Sequence, residues 1–277
     1  MRLFACIPLL LLNTWCFADD RSASDSWFDM FSTKRDGGGF LAVGLALENQ
    51  RGLYQSSGMK LRANVHGAYY FENGLFFEFP GLTDKFESQF ALGYNLASTQ
   101  NWEFDVILST AHGSLVYRSP TDSFSKDTTP FWGLRAIGSI AGLDTMFVYG
   151  VNSNKMDYSG GRYAAAWLGK SWNINNWHIY SSLGAQYRND AILDYYYGVP
   201  ESSTANSPYQ ANGGFNLIYK LGFKKPLDEN WVVEGGLSFK RYADAIIDSP
   251  YTQNILNNNQ GRSDKGSALN LTISYVF

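Results

Sequence analysis

The side chains able to do acid-base or covalent work are few. Three histidines, His66, His112 and His178, stand far apart in the sequence, and the two cysteines are Cys6 and Cys16. None of these has the spacing of a zinc site, so neither a metal nor a cofactor is expected. Gly37-Gly38-Gly39 precedes a strand pattern and suits a bend better than a phosphate-cradling loop, which opens onto a helix. One pair has a spacing that catalysis can use: His112-Gly113-Ser114. Residues two apart on a strand share a face, so the imidazole could draw the proton from the Ser114 hydroxyl. The alternation places both on the face of Trp102, Phe104, Val106 and Leu108, where a lipid hydrolase would want its nucleophile. No carboxylate is spaced to orient His112, and His-x-Ser arises often by chance. The pair therefore reads as the polar rim of an apolar band, and no catalytic residue is assigned.

The elements that must position these residues are strands. From Phe40 onward apolar and polar residues alternate in stretches of about ten, the length of a tilted membrane strand. Twelve runs are predicted: 40–48, 59–71, 75–82, 87–96, 102–114, 130–140, 143–152, 161–173, 177–189, 210–223, 231–243 and 266–277. Tight turns are expected at Glu72-Asn73-Gly74, 98–101, Ala141-Gly142, 173–176 and 226–230, and longer polar connectors at 49–58, 115–129, 153–160, 190–209 and 244–265. An even number of strands with short turns on one side and long loops on the other is the organisation of a closed antiparallel transmembrane β-barrel. Trp102, Trp177 and Trp231 each follow a short turn, where an aromatic girdle meets the inner headgroups. The last run sets Leu269, Leu271, Ile273, Tyr275 and Phe277 on one face. A terminal Phe with apolar residues at every second position resembles the signal read by the barrel-assembly machinery, so Tyr275 and Phe277 are assigned to it.

Composition agrees. The 277 residues are 45% hydrophobic and 16% aromatic but only 17% charged, against about 25% in average soluble domains. With 22 Lys+Arg against 25 Asp+Glu there is no basic field to gather nucleic acid. Met1-Arg2, the apolar stretch Leu3 to Leu12 and Cys16-Phe17-Ala18 read as a secretory signal peptide over 1–18, cut near Ala18. Residues 19–38 are then a periplasmic segment and 39–277 the barrel. These features indicate the outer membrane of a Gram-negative cell.

Alternate positions predict a lumen lined by Lys60, Arg62, Asn64, His66, Glu78, Glu87, Gln89, Glu103, Asp105, Arg135, Arg162, Lys170, Gln186, Arg188, Asn216, Lys220, Glu234 and Lys240. Both signs are present, as in a lattice of acids and bases that fills a small barrel or lines a narrow solute channel. Trp27, Phe28, Met30 and Phe31 lie among acids in the periplasmic segment and are candidate anchors for a partner, or a plug over the periplasmic mouth.

Asp194-Tyr195-Tyr196-Tyr197-Gly198-Val199, then Ser207-Pro208-Tyr209 and Gly213-Gly214, resembles the signature of the MltA-interacting protein (MipA/OmpV) family. Tyr242-Ala243-Asp244-Ala245 leading to Asp248-Ser249-Pro250, and the closing Ser274-Tyr275-Val276-Phe277, resemble its C-terminal pattern. The resemblance implies an outer-membrane barrel without known catalysis. It also implies either a scaffold tying a lytic transglycosylase to a penicillin-binding protein during peptidoglycan (murein) growth, or a surface-interaction protein. A narrow solute channel and, behind it, a lipid hydrolase using Ser114 and His112 are the alternatives.

Overall fold

The computed structural model describes residues 37–277 except 54–57, 88, 119–122, 153–158, 204–205 and 259–261. The signal peptide predicted over 1–18 and the segment holding Trp27, Phe28, Met30 and Phe31 lie outside the described residues. The barrel strands are β1 (Gly38–Arg51), β2 (Met59–Tyr70), β3 (Leu75–Phe79), β4 (Ala91–Ser98), β5 (Trp102–His112), β8 (Thr129–Ile140), β9 (Leu143–Val151), β10 (Arg162–Ile174), β11 (Trp177–Arg188), β12 (Gly214–Pro226), β13 (Trp231–Arg241) and β14 (Lys265–Val276). Each pairs antiparallel with its neighbours, and β1 closes on β14 from Ala42↔Val276 to Arg51↔Ser267. The result is a closed antiparallel barrel of twelve strands.

Period two sets inside against outside. In β14, Leu269, Leu271 and Ile273 are 44–48% exposed, while Asn270, Thr272 and Ser274 between them are no more than 6% exposed. The same inversion runs round the barrel: Leu61, Leu134, Leu183 and Phe215 face out. Apolar side chains turned away from the core are favourable only against hydrocarbon, and a closed sheet leaves no edge there to solvate. Trp102, Trp177 and Trp231 stand at the short-turn end, in contact with Phe147, Phe223 and Tyr275 respectively.

The turns follow local chemistry. Ala141-Gly142 and Asn175-Asn176 both have positive φ at the two central positions, as expected of two-residue hairpins whose twist matches the flanking strands. The opposite end carries more structure than polar loops. Between β5 and β8 lies a hairpin of β6 (Leu115–Arg118) and β7 (Ser123–Lys126), and the two longest connectors hold α1 (Asp190–Tyr197), α2 (Asp244–Ile247) and α3 (Pro250–Asn258).

One connector departs most from the alternation. Where strands at 75–82 and 87–96 are expected, β3 stops at Phe79 and β4 starts at Ala91. Only four residues of β2, Gly67–Tyr70, pair with β3. At about 3.3 Å per residue, a five-residue β3 reaches about 17 Å, short of an apolar band about 25 Å tall. The chain between them, Pro80 to Phe90, leaves the wall and enters the lumen.

An ion cluster ties β3, β5 and β8 together across the inner face of the wall. Arg135 of β8, 7% exposed, reaches Asp105 of β5 at 3.0 Å and both carboxylate oxygens of Glu78 of β3. Asn95 and Tyr70 complete the two acids at 2.9 Å each. Arg135→Met leaves the buried Asp105 and the half-buried Glu78 without their cation, and uncovering the buried carboxylate costs about 3 kcal/mol. The expected result is a lower urea midpoint for the compact, fast-migrating band in unheated electrophoresis; an unchanged midpoint would show that the cluster does not hold the wall.

Candidate functional site

The lumen is built by the inward segment and the wall it touches. Asn270 Nδ2 of β14 donates to Leu82 O at 3.4 Å, and Tyr180 Oη of β11 donates to Thr83 O. Lys220 of β12 donates to Asp84 O at 2.9 Å and to Phe86 O; Ser182 donates to Lys85 O. Lys85 meets Asp144 of β9 at 2.7 Å and Ser171 of β10 at 3.2 Å. Returning, Glu87 accepts from Tyr163 and from Gln186 at 3.1 Å, and Ser109 of β5 donates to Phe90 O at 2.7 Å. The segment thus crosses the lumen from one wall to the other. Its tip reaches the short-turn half, where Lys224 bridges Asp84 at 3.7 Å and Glu234 at 2.8 Å, and His66 lies 3.4 Å from Glu234.

Above the segment is a chamber of about 490 Å³, walled by β10 to β13 and lined by Arg188, Lys240, Lys220, Trp167 and Glu87. Its roof is the helical cap, which contributes Tyr197 and Ile246. The Tyr-Tyr-Tyr-Gly-Val and Asp-Ser-Pro residues build that cap. Tyr196 stacks on His112 with centroids 3.9 Å apart, Tyr197 Oη lies 3.0 Å from His112 Nε2, and Lys126 rests 4.5 Å over Tyr195. Val199 bridges Tyr209, Ser249 Oγ donates to Tyr197 O at 2.7 Å, the Asp248 N–H closes α2 on Asp244 O, and Pro250 opens α3. Gly198 ends α1, donating to Asp194 O at 2.8 Å; a Cβ there would fall 2.5 Å from that same oxygen, so only glycine fits.

His112 and Ser114 are corrected by this geometry. A β-bulge between Thr110 and His112 turns the imidazole off the lipid face and into the chamber. Its Nδ1 meets Gly113 O at 2.6 Å and its Nε2 the Tyr197 hydroxyl, so the ring is bound into the cap and does not present a base to lipid. Lys60, Arg62 and His66 share the inward face of β2, with Arg62 3.5 Å from Glu48. Glu103 shares the face of Asp105 on β5. Arg162 and Lys170, expected inward, lie on the outward face of β10, because Tyr163, Ala165 and Trp167 fill the inner one. Lys170 bonds Gly142 O at the short-turn rim. His178 is paired with Asn173 at 2.8 Å, and no metal-competent cluster occurs among the described residues.

Residues 43–277 match the family described as "MltA-interacting protein MipA", and the chain belongs to that family. No curated protein matches it. Among solved structures it is similar to the outer-membrane protein OmpT of Vibrio cholerae, at 7% identity over 89% of this chain and 100% of that one, TM-score 0.43. It is also similar to OprD of Pseudomonas aeruginosa, at 12% identity over 86% and 65%, TM-score 0.35. At such scores the lumen has to be read from its own residues.

Burial pushes the Glu87 carboxyl above its ordinary value of 4.5, against the opposing pull of the Tyr163 and Gln186 hydrogen bonds and the Arg188 charge. A carboxyl raised in the folded state contributes stability that is fully present below its unfolded value and is lost as pH rises through the folded one. Glu87→Gln cannot ionise. As pH rises from about 4, the urea midpoint of the parent should therefore fall relative to that of Glu87→Gln. Parallel curves would mean that Glu87 is not held in a desolvated site.

Proposed function

We propose that this member of the MltA-interacting protein family is a non-conducting, non-enzymatic barrel that anchors partners at the outer membrane. Its periplasmic face holds a lytic transglycosylase and a penicillin-binding protein, so that cleavage and synthesis of murein take place beneath one fixed point. The observation that carries this reading is the segment Pro80 to Phe90, which spans the lumen and is tied to β9, β10, β11, β12 and β14. A transport channel needs a continuous water path, whereas here side chains of both signs meet across the interior. The family's name supports a murein-cleaving partner. The aromatic segment with Trp27, Phe28, Met30 and Phe31 is the contact we assign to it.

Two measurements test this. In planar bilayers the full protein should show no steady conductance, and replacing residues 82–87 by two glycines should create one. A stable open pore in the unaltered protein would favour the solute channel instead. In intact cells, cross-linking should recover a lytic transglycosylase and a penicillin-binding protein with the full chain, and recovery should fall when residues 20–36 are deleted. Recovery of neither enzyme from a correctly folded barrel would overturn the scaffold.

A further inference from the structure

The charge in the lumen is unevenly matched. Below and beside the inward segment three lumen cations face acids: Arg135 faces Glu78 and Asp105, Lys85 faces Asp144, and Lys224 faces Glu234. In the capped chamber Arg188, Lys220 and Lys240 converge, and the only carboxylate in its lining is Glu87. Glu87 already accepts from Tyr163 and Gln186. Arg188 is 5% exposed and gives its Nε to Ala111 O while lying over the Tyr163 ring. Lys240 lies 4.8 Å over the Tyr242 ring, and among the described residues no acceptor or carboxylate stands within bonding distance of its ammonium. Desolvated cations are costly unless an anion faces them, and two that share one chamber also repel each other.

We infer that the chamber is a binding site for a small organic anion, one carrying a carboxylate or phosphate group. Arg188, whose Nε holds Ala111 O and whose Nη2 lies 3.5 Å from Gln186 Oε1, keeps further guanidinium N–H groups for an oxygen of such a group, and Lys240 of β13 adds a second charge. Gln89, Asn216 and Ser238 in the lining supply neutral hydrogen bonds, and Trp167, Tyr197 and Tyr242 an apolar and aromatic surface for the rest of the molecule. The volume of about 490 Å³ is that of a small-molecule site. The site needs no open pore, so it stands apart from the anchoring role.

The test uses the full mature protein refolded in detergent micelles. Phenyl phosphate and benzoate are titrated by calorimetry, with benzyl alcohol as the neutral control. Saturable binding of the two anions, none of the alcohol, and binding at least about tenfold weaker in Lys240→Met is the expected result, the loss of one charge-assisted contact. Retention of the fast-migrating folded band shows that the variant is intact. If Lys240→Met fails to fold, the parent protein still decides: anion binding should weaken as salt is raised and should quench Trp167, a change lost in Trp167→Phe. Equal binding of the alcohol and the anions, equal binding in Lys240→Met, or no binding of either anion at millimolar concentration would overturn the inference.

Discussion

Every backbone amide and carbonyl that meets hydrocarbon must find its partner within the protein, and this requirement organises the whole molecule. Antiparallel strands satisfy it only if the sheet has no edge, so β1 must meet β14, which it does through ten paired residues. Closure then divides every strand into two environments. The outward face belongs to lipid, and apart from residues toward the strand ends, such as Arg162 and Lys170, the charge and amide the chain carries go inside. The polar lumen is thus a by-product of the exterior before it is an adaptation of its own. What remains for evolution to choose is how that polarity is neutralised.

Here the neutralisation is divided by height. In the short-turn half, strands supply both signs and the inward segment adds Asp84 and Lys85 to the exchange, so that carboxylate and cation alternate across the interior. In the opposite half the chamber wall supplies Arg188, Lys220 and Lys240, and the cap turns Tyr197 and Ile246 toward them, not an acid. The same side chains that mark the family in the loops are those that pack this lid: Tyr196 and Tyr197 against His112, and Ser249 on the backbone of Tyr197. Recognisable loop residues in this barrel are first of all the parts of a folded lid.

The barrel was legible because its signals are redundant. Alternation, paired turns such as Ala141-Gly142, and a last strand that is greasy on one face all report the same closure. The interior was less so. Pro80 to Phe90 contains enough alternation to extend two strands, and nothing local states that the chain turns inward; its partners, Tyr180, Ser182 and Lys220, lie far along the sequence. The face of His112 was reversed by a bulge of one residue, which parity cannot reveal. In β10 both faces are apolar, with Trp167 inside and Leu168 outside, so charged residues at its ends, Arg162 and Lys170, misled the assignment. The helices had a readable cue that the polar composition masked: Asn189 caps the first turn of α1, with Asp190 behind it.

The shortness of β3 and β4 also gives the wall a seam. β1 and β2 are joined by twelve residue pairs, β2 and β3 by four. Met59 to His66 are bonded through the sheet on one side only among the described residues, so the ladder that resists parting is thinnest between β2 and β5. A cylinder under load opens along such a line. The segment released by the short strands is stitched to the far wall through Lys85 and Lys220. It therefore acts as a cross-brace, carrying tension across the bore where the hoop itself is weakest.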